Sequence, residues 1–504
     1  MSASRRRKRP RGRGAGPPAS GPDASQLERL DQFRWQIPTS YKAGMRVPGV
    51  IYSSETMLPT VLSDKPLEQL ANVTFLPGIV GHALAMPDVH WGYGFPVGGV
   101  AATDVRDGVI SPGGIGFDIN CGVRLIRTNL TEGELRPRLK DALDALFRAV
   151  PAGMGTKGRI RLTHKNMDRV LRRGAAWAVD QGLGWPEDLE VAEEGGALAG
   201  ADPKAVSARA KERGAGQLGT LGSGNHFLEL QVVDEVFDPS AASALGIEQP
   251  GTVVVFLHTG SRGCGHQICQ DYLQTFAQAP SSRAIELPDR QLACAPLRSP
   301  EGQDYLAAMA CGANFAWANR QAITHWTREA LSGVFGRSAR SLGMEVVYDV
   351  AHNIAKIEEH VVDGEVRRVC VHRKGATRAF PPGHPELPSK YRDVGQPVFI
   401  PGDMGRASYV AVGTAGAMEQ SFGSTCHGAG RVLSRSAARR RLRGVNMVER
   451  LAALGVGVRA RNPRLLSEEA PDAYKNVTDV TAITHGAGIS RNVARLRPVG
   501  VIKG

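Results

Sequence analysis

TVVVFLHTGSRGCGH, residues 252–266, runs an apolar, β-branched segment (252–257) into His258 and then into a glycine-rich loop. A run that short, without helical periodicity, predicts a buried strand with a histidine where strand gives way to loop. The same grammar recurs outward from it. EVVYDV (345–350) is followed by Ala351, His352 and Asn353, and PVFI (397–400) reads as a further strand. RPRLKDALDALFRAV (136–150) and ANRQAITHWTREALSG (318–333) have amphipathic helical spacing. Strands and helices interleave with no internal repeat and no clean linker after about residue 27. This predicts a mixed α/β (α+β) architecture: one large domain over 27–504 behind a tail of residues 1–26.

Composition agrees with a folded core. Of 504 residues, 42% are hydrophobic and 22% charged, enough apolar material to bury a large interior. No run of eighteen apolar residues occurs, and the basic N-terminus leads into polar GPPASGPDASQ, without an apolar signal core. The seven cysteines are thinly spread and lack disulfide-framework spacing. A soluble cytoplasmic protein with reduced thiols is expected. The net charge of +13 is uneven, because the first fourteen residues hold Arg5, Arg6, Arg7, Lys8, Arg9, Arg11 and Arg13 and no acid. Such a tail predicts disorder, serving either as a solubilising extension or as a nucleic-acid arm. A second basic cluster places Arg431, Arg435 and Arg439 at i, i+4 and i+8, one cationic stripe if the segment is helical.

Upstream of the strand ends, SPGGIGFDINCGVRL sets Asp118 and Cys121 three apart in a glycine-rich turn, and LGSGNHFLEL sets Asn225 and His226 before another apolar run. With His258 and His352 these residues make a transition-metal donor set. Imidazole and thiolate suit borderline ions, a carboxylate tolerates Mn or Zn, and one thiolate shared between two divalent ions is chemically sensible. Each histidine taken alone also fits a hydrogen-bonded structural role. GAGQLG (214–219) matches GxGxxG, but it follows a charged helix-like stretch and no strand leads into it, so it is no dinucleotide fingerprint. GMGTKG (153–158) lacks Walker A spacing and reads as a turn.

The motifs MPDVHWGYGFPVGG (86–99), GGIGFDINCGVR (113–124), GSGNHFLE (222–229), HTGSRGCGHQ (258–267), DVAHN (349–353), HRKGATRA (372–379) and STCHGAGR (424–431), with the closing AYKNV and IKG, resemble in order the signatures of the RtcB family of RNA ligases. The resemblance spans nearly all of the chain after the tail. It implies that His427 is the nucleophile that takes GMP from GTP, a role for which a neutral imidazole among small residues is suited. It also implies two Mn²⁺ ions, one held by Asp118, Cys121 and His226, the other by His258, His352 and the shared Cys121. Nucleotide contacts would come from Asn225, Glu229, Asn353, Asp403, Ser408, Tyr474 and Lys503. Asp88 and His90, beside the RNA ends, and Arg431, Arg435 and Arg439 would meet RNA. The implied reaction joins an RNA 3′-phosphate, or a 2′,3′-cyclic phosphate hydrolysed to it, to a 5′-hydroxyl, in tRNA splicing or RNA repair. A monomer is expected, with archease as a candidate partner.

The chain departs from this pattern at PGDMG, where Asp403 stands in place of a serine, and in its arginine-rich tail. A carboxylate beside a triphosphate is repulsive unless compensated, and Arg406 is the nearest candidate. Two other readings stay open from sequence: an RNA-binding scaffold that has lost ligation, and a metal phosphodiesterase that opens cyclic phosphates without His427.

Overall fold

Ser299 opens the longest element: its side chain accepts a hydrogen bond from Gly302 N, Pro300 takes the first helical position, and the helix Pro300–Phe335 runs 36 residues to a left-handed Gly336 at φ 63°. In this computed structural model, which describes residues 21–63 and 65–504, the helix is buried from Ala308 to Arg328 except for half-buried His325. The helix expected over 318–333 is present, but its amphipathic reading is corrected. Its polar residues Asn319, Arg320, Gln321 and Thr324 face inward, where they hold strand ends and loops instead of meeting water. Residues 1–20, and with them the basic part of the expected tail, lie outside the described residues, while Ala24–Gln26 form a single turn capped by Asp23.

Two sheets organise the remainder. The eight-stranded sheet runs Val346–Ala351, Gly122–Thr131, Thr252–Thr259, Phe227–Val236, Ser490–Lys503, Ser408–Gly413, Pro397–Ile400, antiparallel throughout, with Gly457–Ala460 added parallel to Ser490–Lys503. The seven-stranded sheet runs Glu28–Arg29, Arg34–Ile37, Gly49–Tyr52, Ala83–His90, Val97–Asp104, Glu365–Lys374, Asn353–Val362. The larger sheet contains the expected apolar β-branched runs, as in Thr252–Thr259 and Val346–Ala351, and the mixed α/β expectation holds. One core packs the larger sheet against Leu139–Ala149 and the C-terminal half of the long helix. A second lies under the seven-stranded sheet, and a third joins the long helix to His164–Asp180 and Arg262–Gln278. Residues 136–150 begin with one 3-10 turn, Arg136–Arg138, before the helix proper, which buries Ala142, Leu143 and Leu146 on one face. GAGQLG follows a helix, Ala208–Ala215, and no strand leads into it, in keeping with the rejection of a dinucleotide fingerprint. Among the described residues no helix is long and apolar enough to cross a membrane, and all seven cysteines are buried and unpaired.

Register decides what the strand ends carry. Gly122 pairs with Ala351 on one side and Thr259 on the other, and His258 pairs with both Val123 and Phe227. Cys121, His226, His258 and His352 thus stand at one end of four neighbouring strands. His352 is the single residue between Val346–Ala351 in one sheet and Asn353–Val362 in the other.

Candidate functional site

The donor atoms at that sheet end converge. Cys121 Sγ lies 3.2 Å from His258 Nε2 and 3.4 Å from His226 Nε2. His258 Nε2 lies 3.2 Å from His352 Nε2, and His226 Nε2 lies 2.8 Å from Asp118 Oδ2. Two triplets result, Asp118–Cys121–His226 and Cys121–His258–His352, with donor atoms within 4.8 Å of one another and Cys121 common to both. Two imidazole nitrogens facing each other can share one proton at most, and the Nδ1 atoms of His258 and His352 have no hydrogen-bond partner among the described residues. Converging lone pairs of this kind, with a sulfur, nitrogen and oxygen set, fit borderline divalent cations. Burial, then the neighbouring imidazoles, holds His258 and His352 well below the usual histidine range, so both are neutral donors. Burial, then Asp118, pushes the Cys121 thiol up. Burial would raise Asp118 too, but the hydrogen bond from His226 and the charge of Arg262 outweigh it and hold the carboxyl below its ordinary value. Arg262 Nη1 sits 3.2 Å from His226 Nδ1, which leaves the proton on Nε2; an ion at Nε2 requires the other tautomer.

His427 reaches this cluster through a two-stranded ladder, in which Ser424–Cys426 pairs with Ala376–Arg378 while Gly375 N donates to His352 O. Its ring centroid lies 4.9 Å from that of His352. His427 Nδ1 is 2.5 Å from Asp88 Oδ2, and the same oxygen accepts from the backbone N–H of His427 at 3.1 Å and of Gly428 at 3.2 Å. A protonated Nδ1 directed at a carboxylate leaves Nε2 with the free lone pair. The small residues around His427 now have a steric reason. Gly430 sits at φ +73°, and a Cβ there would lie 2.0 Å from Asp88 O.

A cleft of about 350 Å³ collects most of the residues singled out from sequence. Asp118, Cys121, His258, His352, His427, His90, Asn225, Glu229, Asn353, Asp403, Ser408, Arg431, Arg435, Tyr474 and Lys503 all line it. His226 stands behind the lining, and Asp88, fully buried, is turned to His427 and not to the opening. Arg439 lies outside the lining, 3.5 Å from Glu468 Oε1.

The arginine stripe is corrected. Arg431 precedes the helix Arg435–Arg441 and bridges in extended conformation to Tyr474, so it shares no helical face with the other two. Arg431 and Arg435 instead converge on Glu469, at 3.1 and 3.2 Å, and Tyr474 donates to the same carboxylate. Glu469 was not found from sequence, because SEE (467–469) reads as a solvated charge run.

At the same end of the cleft Glu229 is pushed up to about 7 by burial, against the bond from Gln231 and the charge of Lys503. Lys503 is pushed down by burial, against Glu469 and Glu229. Asp403 accepts from the N–H groups of Gly405 and Arg406, and Arg406 Nε lies 3.2 Å from its Oδ2; burial still raises its carboxyl. The lysine of HRKG, Lys374, also lines the cleft, donating to the carbonyls of Tyr93 and Phe95, and burial pushes it down to about 7.

A mixed α/β protein whose strand ends gather cysteine, histidine and aspartate donors that could hold a metal, beside a carboxylate-held histidine in one cleft, has the layout of an enzyme active site. A family model described as tRNA-splicing ligase RtcB matches residues 69–504. The tRNA-splicing ligases RtcB of Thermococcus kodakarensis and Archaeoglobus fulgidus are each 57% identical to this chain over 478 residues, covering 95% of it and 99% of the relative. That of Methanococcus maripaludis is 55% identical over 480 residues, with 95% and 100% covered. The chain belongs to the RtcB family and is an RNA ligase.

Proposed function

We propose that the protein joins RNA ends carrying a 3′-phosphate, or a 2′,3′-cyclic phosphate hydrolysed to it, to 5′-hydroxyl ends, using GTP through a guanylylated His427. The observation that carries this reading is the Asp88–His427 pair, which leaves Nε2 as the free base beside the histidine and cysteine cluster. In the first step the Nε2 lone pair attacks the α-phosphorus of GTP, a P–N bond forms, and the P–O bond to pyrophosphate breaks. The imidazole becomes cationic, and Asp88 stabilises it through Nδ1–H. An oxygen of the RNA 3′-phosphate then attacks the same phosphorus and expels His427, giving an RNA–ppG end. Attack by the 5′-hydroxyl oxygen on the RNA phosphorus releases GMP and closes the 3′,5′ linkage.

Asp118, Cys121, His226, His258 and His352 would hold two Mn²⁺ ions. These would supply charge neutralisation at the α-phosphate and the departing pyrophosphate. Glu229, Asn225, Asn353, Ser408, Tyr474 and Lys503 bind the nucleotide in this reading. Asp88 acts as a positioning group for His427 in place of the RNA contact that the sequence suggested. The relatives' names point to tRNA splicing as the duty. Incubation with Mn²⁺ and α-labelled GTP should leave acid-labile label on the protein, absent in a folded His427→Ala variant. Full labelling of that variant would overturn the assignment.

A further inference from the structure

We infer that one RNA strand end leaves the ligase cleft over a ladder of rings formed by Tyr93, Phe117 and His266 and continues into a second cavity along the helix Arg262–Gln278. This rests on the proposed ligase chemistry only in taking the strand's reactive end to lie in the main cleft.

Phe117 carries the inference, because it lines both cavities: the ligase cleft on one side and a hollow of about 430 Å³ on the other. It is bonded in sequence to Asp118, so a base on it lies beside the metal-ligand cluster. The Phe117 ring stacks on His266 at 5.0 Å between centroids and 29° between planes, and meets Tyr93 edge-on at 5.4 Å. All three residues are half-buried.

Beyond the rings, Gln267, Gln270, Asp271 and Gln274 recur at helical spacing, one face of Arg262–Gln278, and Arg209 faces them across the hollow. The one carboxylate among the described lining residues is occupied, since Asp271 accepts from Ser207 Oγ at 2.6 Å and from Gln267 Nε2 at 2.7 Å. Its repulsion toward a phosphate is thereby blunted.

Rings with π faces, amide side chains that both donate and accept, and an arginine within phosphate reach are what a single-stranded nucleic acid needs, and they read no particular base. Among the described residues that line the hollow, Phe117 and Leu273 are apolar and the other five are amide or charged side chains, which suits a polar strand with stacking bases better than an apolar peptide. Continuity with the cleft of an RNA ligase makes the occupant RNA.

The test uses the full chain and two short RNAs, one with a 5′-hydroxyl and one with a 3′-phosphate, each carrying 2-aminopurine at the terminal or the penultimate nucleotide. Stacking quenches this base. Quenching on binding to wild type is expected for at least one strand. Phe117→Leu, which keeps apolar bulk but removes the ring face, should abolish that quenching and weaken Kd roughly tenfold, the loss of about one base–ring stack. Phe117→Trp should restore both. Gln270→Ala, farther from the metal cluster, should weaken Kd two- to threefold. Melting curves establish that each variant is folded.

The strand that loses quenching is the one that lies on the ladder, and either supports the inference. Quenching and affinity within twofold of wild type for both strands in folded Phe117→Leu would overturn it. GTP labelling of the wild-type protein without RNA tests the ligase chemistry separately. A labelled wild type with an indifferent Phe117→Leu therefore sinks the RNA path alone.

Discussion

Cys121 is the residue on which most depends, because its sulfur belongs to both donor triplets. Cys121→Ala should lower bound Mn²⁺ at both positions and stop guanylylation, as read by elemental analysis and GTP labelling. Cys264→Ala, buried in a separate core, should cost stability but not metal. Glu229 supplies a pH signature. Its folded value of about 7 lies above the ordinary carboxylate value, so the ionised acceptor forms only as pH rises through about 7. GTP affinity should therefore climb toward pH 8 and fall up to tenfold per unit below 7, and Glu229→Gln should flatten that dependence in a calorimetric titration. Stability runs the other way: burying the charge is unfavourable, so the favourable contribution of neutral Glu229 is lost as pH rises toward 7. Asp403 was legible only as a departure from a pattern. The structure adds that Arg406 sits against it but leaves it largely desolvated. Asp403→Ser should tighten GTP binding several-fold.

At the scale of elements, the strand Val346–Ala351 is held at the site by a buried charge network. Asp349 takes Arg124 at 2.7 Å, Arg320 at 2.8 Å and Trp317 at 3.1 Å, and Arg320 also donates to the carbonyls of Asn120 and Thr259. Both arginines and the aspartate are fully buried. Asp349→Asn leaves two cationic groups without their counter-charge, so it should destabilise the protein by about 3–5 kcal/mol in denaturant unfolding, and loosen the loop that carries Asp118 and Cys121. The strands over 252–257, 345–350 and 397–400 were readable because a short apolar run has few other solutions. The helix over 318–333 was misread as amphipathic because its polar residues serve buried loops, a use that periodicity cannot distinguish from solvent exposure. The arginine spacing misled for a related reason: the spacing i, i+4, i+8 has meaning only inside a helix, and Arg431 is outside it.

For the whole molecule, charge is the relevant quantity. The net +13 is concentrated in the first fourteen residues and near 431–443. Deleting residues 1–22 should weaken RNA binding at low salt and flatten the salt slope, while His427 guanylylation persists. Each single-strand phosphate neutralised contributes roughly 0.7 to the slope of log affinity against log salt, so loss of three or four contacts changes it by about two to three. Equal slopes for both proteins would make the tail a solubilising extension.

The sequence by itself determined the class of fold, the family and the kinds of donor atom present, because these rest on local patterns: short β-branched runs, glycine turns, and cysteine, histidine and aspartate at fixed places in recurring motifs. Tertiary structure alone decided which of them meet. Cys121 and His258 are 137 residues apart and Asp88 and His427 are 339 apart. Their contact depends on the antiparallel order and register of four strands and on a short ladder that hands His427 to His352. The same holds for Glu469 gathering Arg431 and Arg435, and for Phe117 standing between two cavities. Such meetings are set by hydrogen-bond register and core packing across the whole chain, which no local window of residues contains.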